Sequence, residues 1–226
     1  LCDILLDQTF GRSIDDYRLQ VPPTCDILCG SPYSLLRPEF EEWRNYSLKR
    51  REGFVLRSIL VNLGGVDKDN ITSDVLKSLK SCKLPEDCKL TVVMGSTAPW
   101  VEDVREAAAC MPWATEVRVD VSNMAEIMSN SDLAIGAAGS TSWERCSLGL
   151  PSIQIVIADN QRLIGQLLSE AGASKLLENV ELLYLLVDSA GGWMASVSNE
   201  AQLVTDGKGV NRLICRMINL DRQSRY

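Results

Sequence analysis

The chain has 226 residues, of which 23 are lysine or arginine and 30 are aspartate or glutamate, so its formal net charge is −7. That balance argues against a protein that coats nucleic acid or an anionic membrane, because both attract a basic surface, but it leaves open a small anionic ligand. The 46% apolar content is typical of a folded globular chain, and no apolar run approaches the roughly 18 residues that span a bilayer.

Short apolar runs alternate with amphipathic stretches along the chain. Most of the runs lack polar–apolar alternation, as expected of parallel strands that are covered on both faces. Strands that alternate with helices indicate βαβ units, so the predicted fold class is α/β, with a doubly wound parallel sheet. The predicted strands are residues 2–6, 27–29, 58–63, 90–94, 116–119, 133–135 and 152–157, and the predicted helices are 69–80, 100–109, 122–130, 141–148, 161–171, 180–189 and 211–220.

The distribution of charge suggests how the chain is divided. Residues 38–57 are rich in Glu, Arg and Lys with little apolar periodicity, which indicates a charged linker or a surface helix. The residues before them carry two short predicted strands, too few to enclose a core alone. We predict the C-terminal remnant of a Rossmann-like domain at 1–40, a linker at 41–57, a complete Rossmann-like domain at 58–208, and a terminal helix at 209–226 that packs back on the first domain.

A double glycine follows the predicted strand at 58–63. Gly64 and Gly65 would let the backbone approach a ligand closely, and the helix after them would supply free N–H groups. Asp67 or Asn70 could equally cap that helix. This segment alone favours an anion site and a helix cap to the same degree.

The strand predicted at 133–135 ends in a turn of small residues. Gly136 and Gly139 leave room for a bulky anion, and Ser140 and Thr141 can donate hydroxyl and backbone hydrogen bonds to phosphate oxygens. The turn therefore favours nucleotide binding.

Glu144 lies one turn into the helix predicted from Thr141, where its carboxylate could accept both hydroxyls of a ribose. The spacing Thr141-x-x-Glu144 is also that of a capping box, in which the Glu side chain folds back onto the start of its own helix. Spacing does not separate the two interpretations.

Neither glycine turn has the Walker A or the G-x-G-x-x-G pattern, so ATP hydrolysis and NAD binding are poor fits. Turns at the carboxyl ends of parallel strands line one crevice, the usual ligand position in such sheets. Asn160 and Gln161 follow the strand at 152–157 and could donate to sugar hydroxyls or an acyl group. Alternatively, Asp159 or Asn160 simply caps the next helix.

The composition further limits the chemistry. The chain contains no histidine, which excludes Ser-His-Asp and Cys-His catalysis and every His-ligated metal site within it. The cysteines have no zinc-site spacing, and we predict mostly buried or incidental thiols in a reducing cytoplasm. They are Cys2, Cys25, Cys29, Cys82, Cys88, Cys110, Cys146 and Cys215.

Taken together, these motifs resemble those of sugar-nucleotide enzymes of the GT-B fold. More narrowly, they resemble the UDP-2,4-diacetamido-2,4,6-trideoxy-β-L-altropyranose hydrolases of pseudaminic acid biosynthesis (the PseG family), which serves flagellin glycosylation. The Gly-Ser-Thr and Asn-Gln motifs alone would also suit the N-acetylglucosaminyltransferase of peptidoglycan synthesis. The resemblance covers nearly all of the chain and rests on residues 2–8, 30–40, 63–67, 123–128, 131–144, 149–151, 159–161 and 206–209.

The resemblance implies two Rossmann-like domains with a UDP-sugar in the cleft between them, hydrolysed to UDP and free sugar with inversion and without metal or other cofactor. It further implies that the chain corresponds to the C-terminal two-thirds of such an enzyme. The family's catalytic His and active-site Tyr belong to the N-terminal domain, so this chain alone is expected to bind UDP weakly and to hydrolyse nothing at a useful rate. A cytoplasmic location is expected.

The resemblance also implies a role for each site residue. The diphosphate would face the glycine loop at 64–65, and Ser140 and Thr141 would hold its oxygens. The ribose hydroxyls would be taken by Glu144. The uracil would lie against the backbone near the start of the helix predicted at 122–130, and the sugar would lie at 160–161. The implied residues are Gly64, Gly65, Met124, Gly139, Ser140, Thr141, Glu144, Asn160 and Gln161.

Two other functions fit the same residues. A UDP-sugar glycosyltransferase would need an acceptor site outside this chain, and a non-catalytic nucleotide-sugar-binding module would need no base. No nucleic-acid or membrane partner is expected. An exposed apolar face on the helix at 211–220 would favour self-association.

Overall fold

The computed structural model describes residues 2–53 and 55–223, and within them eight strands and nine α-helices. Each of the seven predicted strands is present, with ends shifted by up to two residues. The strands are β1 Ile4–Asp7, β2 Asp26–Cys29, β3 Ser58–Asn62, β4 Lys89–Met94, β5 Ala114–Val119, β6 Leu133–Ala137, β7 Ser152–Ile155 and β8 Lys175–Leu177.

The helices lie between the strands and after them, with short 3-10 turns at several of their ends. They are α1 Pro38–Arg50, α2 Ile71–Leu79, α3 Val101–Ala109, α4 Met124–Ser129, α5 Thr141–Ser147, α6 Arg162–Glu170, α7 Leu183–Asp188, α8 Met194–Val204 and α9 Gly209–Gln223. None in the described part of the chain is long and apolar enough to cross a membrane.

The larger sheet has six parallel strands in the order β5-β4-β3-β6-β7-β8. This is the strand order of doubly wound dinucleotide-binding folds, in which the chain reverses direction across the sheet between its first and fourth strands. Here that switch point lies between β3 and β6. β1 and β2 form a separate parallel pair. The predicted doubly wound parallel sheet is therefore confirmed.

Both faces of the six-stranded sheet are covered, which explains why its strands read as continuous apolar runs. Along β3, Ile59 and Val61 point into a core shared with α2 and α3, whereas Leu60 points into a second core. The second core includes Phe40 of α1 and Trp143 of α5. Successive side chains of one strand thus anchor helices on opposite faces.

The charged segment contains α1, which takes up most of the residues predicted as a linker. Its attachment to the sheet domain relies on guanidinium groups in addition to Phe40. Arg51 is buried and donates to the carbonyls of Ser131 (2.8 Å) and Met128 (3.0 Å), near the end of α4, and to that of Leu148 (3.2 Å), just after α5. Arginine side chains can bind the free carbonyls at helix ends. Because α1 is attached largely in this way, its sequence shows little apolar periodicity.

Arg44 makes the same kind of contact from two turns earlier in α1. It donates to the carbonyls of Gln202 (2.9 Å) and Thr205 (3.1 Å) and to that of Ser147. The predicted boundary at 41–57 remains a prediction, but these contacts attach α1 closely to the six-stranded domain.

The last helix contacts the segment that precedes α1. Arg212 of α9 donates to the carbonyl of Pro32 at 2.8 Å, and Arg216 lies 3.7 Å from the carboxylate of Asp26 in β2. About half of the surface of Ile214, Met217 and Ile218 is exposed on the same helix. Self-association through this face remains a prediction.

Candidate functional site

The two glycine turns meet at the switch point of the sheet. Asn62 at the end of β3 is paired with Gly136 in β6, so the chain segments that follow them leave the sheet side by side. Between them lies a cavity of about 610 Å³. Seven of the predicted site residues line this cavity: Gly64, Gly65, Gly139, Ser140, Thr141, Asn160 and Gln161.

A second cavity, of about 230 Å³, adjoins the first. It contains the two remaining predicted residues, Met124 at the start of α4 and Glu144 in α5. Gly64, Gly65 and Thr141 line both cavities and form the rim between them. The structure thus brings all nine predicted residues to one continuous surface at the carboxyl ends of β3 and β6. Their roles remain predictions.

The sequence predicted free backbone N–H groups at the start of α2, but the structure shows two of them already bonded. The Asp67 carboxylate accepts hydrogen bonds from the backbone N–H groups of Ile71 and Thr72, both at 2.9 Å. Asp67 therefore provides the helix cap, and Asn70, whose backbone is left-handed, does not. These amides are consequently not free to bind an anion, whereas Gly64 and Gly65 line both cavities.

The capping-box interpretation of Glu144 is wrong, because no side chain in the described part of the chain caps the start of α5. Instead the partly buried carboxylate faces the smaller cavity. Burial raises the pKa of Glu144 above its usual value, an effect that the nearby positive charges of Arg37 and Arg145 oppose. A desolvated carboxylate at a cavity wall is a strong acceptor for hydroxyl groups.

The loop after β7 is held by Gln161 rather than by Asp159 or Asn160. The side-chain oxygen of Gln161 accepts from the backbone N–H of Ile157 at 3.2 Å, whereas Asp159 binds Arg162. Among the described residues no side chain caps either the 3-10 turn at 159–161 or α6 after it, so the alternative in which Asp159 or Asn160 caps the next helix is wrong. Asn160 is exposed at the cavity wall.

The sequence reasoning missed several residues of this surface. Arg37 reaches the smaller cavity from the segment before α1, and Gly95 reaches it from the end of β4. Asn62 donates to the carbonyl of Val93 at 2.9 Å, and its side-chain oxygen is buried without a partner in the described residues. A polar residue at the end of the apolar strand 58–62 was the one available signal.

Arg145 was also missed, since a fully buried arginine has no sequence signature. Its guanidinium donates to the carbonyl of Ala137 at 2.7 Å and to the hydroxyls of Ser142 (3.0 Å) and Thr141 (3.1 Å). The glycine turn between β6 and α5 therefore lies directly over a positive charge.

Comparison with known proteins supports the fold and the family. The sequence model of the glycosyltransferase family 28 C-terminal domain matches residues 59–191. The crystal structure of Acinetobacter baumannii MurG superposes with a TM-score of 0.74 at 16% identity, covering 96% of this chain and 66% of that one. The predicted GT-B-type α/β fold is confirmed.

Two curated relatives cover most of the chain. The spore coat polysaccharide biosynthesis protein SpsG of Bacillus subtilis is 27% identical over 215 residues, which are 91% of this chain and 62% of that protein. The UDP-2,4-diacetamido-2,4,6-trideoxy-beta-L-altropyranose hydrolase of Campylobacter jejuni is 25% identical over 171 residues, which are 76% and 58%, respectively. The chain thus spans about three-fifths of the length of either relative. Because the family model matches more than half of its residues, this chain belongs to the glycosyltransferase family 28 C-terminal domain family.

Proposed function

We propose that this chain is the UDP-binding part of a UDP-sugar hydrolase that releases UDP and 2,4-diacetamido-2,4,6-trideoxy-L-altrose. The observation that carries the proposal is the pair of adjoining cavities at the switch point, which share the rim of Gly64, Gly65 and Thr141. A nucleotide sugar has a matching shape, with two bulky ends joined by a diphosphate.

In this proposal the smaller cavity binds the nucleoside. The Glu144 carboxylate accepts hydrogen bonds from the two ribose hydroxyls, and the uracil lies against the backbone at Met124. The buried side chain of Met124 provides an apolar floor at this point. Both groups belong to short helices packed on the sheet, so they are held in place before the ligand arrives.

The diphosphate crosses the rim between the cavities. Gly64 and Gly65 present backbone without side chains, and adding a Cβ to either meets no atom within 4 Å, so there is room above them. Ser140 and Thr141, which carry hydroxyl groups, line the same cavity. Donors at this place would stabilise the negative charge that develops on the β-phosphate as the sugar leaves.

The sugar occupies the larger cavity beside Asn160 and Gln161. In the hydrolysis, the oxygen of water forms a bond to the anomeric carbon while the bond from that carbon to the β-phosphate oxygen breaks, releasing UDP. A general base must take a proton from the water. The resemblance assigns this role to a histidine, and the chain has no histidine, so we expect it to bind UDP without turnover.

The hydrolase is preferred to a transferase because a relative named for that hydrolysis matches 76% of the chain. A UDP-sugar glycosyltransferase is the second candidate, since the matching family model is that of a glycosyltransferase domain. The two reactions share the nucleotide site and differ in what attacks the anomeric carbon.

Calorimetric titration with UDP tests the nucleotide site, with CMP as the control. We expect UDP to bind and CMP not to bind. An absence of binding at millimolar UDP would contradict the proposal. Release of UDP from the sugar nucleotide by the chain alone, followed by ³¹P NMR, would contradict the expected lack of turnover.

Competition between two sugar nucleotides distinguishes hydrolase from transferase. We expect the UDP-linked 2,4-diacetamido-2,4,6-trideoxy sugar to displace UDP at lower concentration than UDP-N-acetylglucosamine. The reverse order would favour the transferase.

The Gly95→Ala substitution tests whether the glycine loop contacts the ligand. A Cβ at Gly95 would overlap the carbonyl oxygen of Gly65 and lie 2.9 Å from its Cα, so the loop must move. We expect UDP to bind about 3- to 10-fold more weakly, as for the loss of one hydrogen bond. Gly191→Ala, where the new Cβ meets nothing within 4 Å, is the control. Unchanged affinity in the Gly95 variant would show that the loop is not used.

A further inference from the structure

Arg145 is a buried cation that forms no ion pair with a carboxylate in the described residues, although the charge of the neighbouring Glu144 acts on it at longer range. Its side chain is 1% exposed, and its three hydrogen bonds go to uncharged oxygens, those of Ala137, Ser142 and Thr141. Its Nε is also buried without a partner in the described residues. A buried charge is costly unless an opposite charge compensates it.

The position of Arg145 indicates where that opposite charge would lie. The guanidinium lies beneath the turn between β6 and α5, since it donates to Ala137 on one side of the turn and to Thr141 on the other. The other side of the same turn, at 139–141, faces the larger cavity. Low-dielectric protein separates the charge from this cavity, so its field is less screened there than in water.

The hydrogen bond to Thr141 has a second consequence. Nη1 of Arg145 donates to the Thr141 hydroxyl oxygen at 3.1 Å, so that oxygen acts as an acceptor. The hydroxyl proton must then point elsewhere, and Thr141 lies on the rim between the cavities. A hydroxyl polarised by a cation is a better donor to a phosphate oxygen.

We propose that Arg145 is a positioning residue for the diphosphate, which orients the Thr141 hydroxyl toward a phosphate oxygen and supplies the positive charge behind it. This inference rests on the proposed function and adds to it a buried source of positive charge, besides Lys68 and Arg37 in the walls of the two cavities. It also explains how the turn between β6 and α5 could bind a diphosphate although the turn itself has no basic side chain.

The test compares UDP with uridine, which lacks the phosphates. We expect Arg145→Met to weaken UDP binding by about tenfold, the effect of one charge-assisted hydrogen bond, and to leave uridine binding unchanged. Arg145→Lys should recover part of the loss because it keeps the charge without the planar fork. Equal losses for UDP and uridine, or no loss for UDP, would overturn the proposal.

Arg51→Met is the matched control, because Arg51 is equally buried, also binds carbonyl oxygens and lines neither cavity. It should lower the melting temperature without changing the UDP-to-uridine affinity ratio. A change in that ratio equal to that of Arg145→Met would also overturn the proposal.

A second pair of variants covers the case in which Arg145→Met does not fold. Thr141→Val removes the hydroxyl at a partly exposed position and should weaken UDP but not uridine binding, whereas Thr141→Ser should retain it. UDP affinity unaffected by Thr141→Val would overturn the role of Arg145. Failure of the unsubstituted chain to bind UDP would instead overturn the proposed function itself.

Discussion

Replacing Glu144 with Gln should weaken UDP binding by about 100-fold. The carboxylate is proposed to accept two ribose hydroxyls, and hydrogen bonds to a charged group contribute about 1.5–3 kcal/mol each, so a neutral amide loses most of this contribution. Calorimetry on the purified variant measures the loss. Glu106→Gln, the same chemical change at an exposed position of α3, should bind UDP normally. Unchanged UDP affinity in Glu144→Gln would contradict the proposed contact between Glu144 and the ribose.

The same substitution should stabilise the fold at neutral pH. Burial raises the pKa of Glu144, so the folded state binds its proton more tightly than the unfolded state. Stability contributed by this group therefore falls as the pH rises through the raised pKa, and glutamine removes that loss. We expect a higher melting temperature for Glu144→Gln at pH 7 and a smaller difference below the usual glutamate pKa. Equal melting temperatures at pH 7 would contradict this.

Acid should weaken nucleoside binding for the same reason. Protonation of Glu144 replaces a charged acceptor with a neutral acid, and the raised pKa brings that loss to a higher pH than an ordinary glutamate would show. Uridine is the appropriate ligand because it has no phosphate to titrate in this range. The pH dependence should disappear in Glu144→Gln.

Gly136→Ala should destabilise the fold by about 3 kcal/mol, at the upper end of the cost of an overfilled core. A Cβ at this buried position would lie 2.7 Å from the carbonyl oxygen of Asn62 and 2.6 Å from Nη1 of Arg145. The arginine can shift, but the carbonyl belongs to the paired strand, so β3 and β6 would have to separate. Denaturant unfolding measures the effect.

Two further variants make the Gly136 prediction specific. Gly191→Ala adds the same methyl group in open space and should change stability by less than about 0.5 kcal/mol. Gly136→Ala combined with Arg145→Met should not restore stability, because the Asn62 carbonyl still blocks the new side chain. A loss below about 1 kcal/mol in the single variant would show that the strands can adjust.

The sheet could be predicted because its strands are covered on both faces. β3 and β6 carry apolar side chains at successive positions, and glycine turns follow their carboxyl ends, so both the fold class and the crevice were available from local pattern. β8 was missed because three residues, Lys175–Leu177, do not form a recognisable run. α1 was interpreted as a linker or surface helix because arginines, rather than an apolar stripe, hold much of it in place.

The sequence allowed us to predict which residues form the site better than which groups they contact. Spacing alone allowed Glu144 to cap its own helix, and allowed either Asp67 or Asn70 to cap α2. Those choices depend on backbone direction and on which groups approach from other elements. Asp67 lies where its carboxylate reaches the α2 amides, whereas Asn70 adopts a left-handed backbone and its side chain caps nothing. The burial of Arg145 likewise depends on packing between α5 and the sheet.

The shared rim of the two cavities has a consequence for the design of inhibitors. A small molecule that fills one cavity alone makes few contacts, but two such molecules joined across Gly64 and Gly65 bind as one. The second half then binds at the high effective concentration that a short linker imposes. The joined molecule can therefore bind about 10² to 10⁴ times more tightly than either half alone. The missing side chains at these two glycines leave the space that such a linker needs.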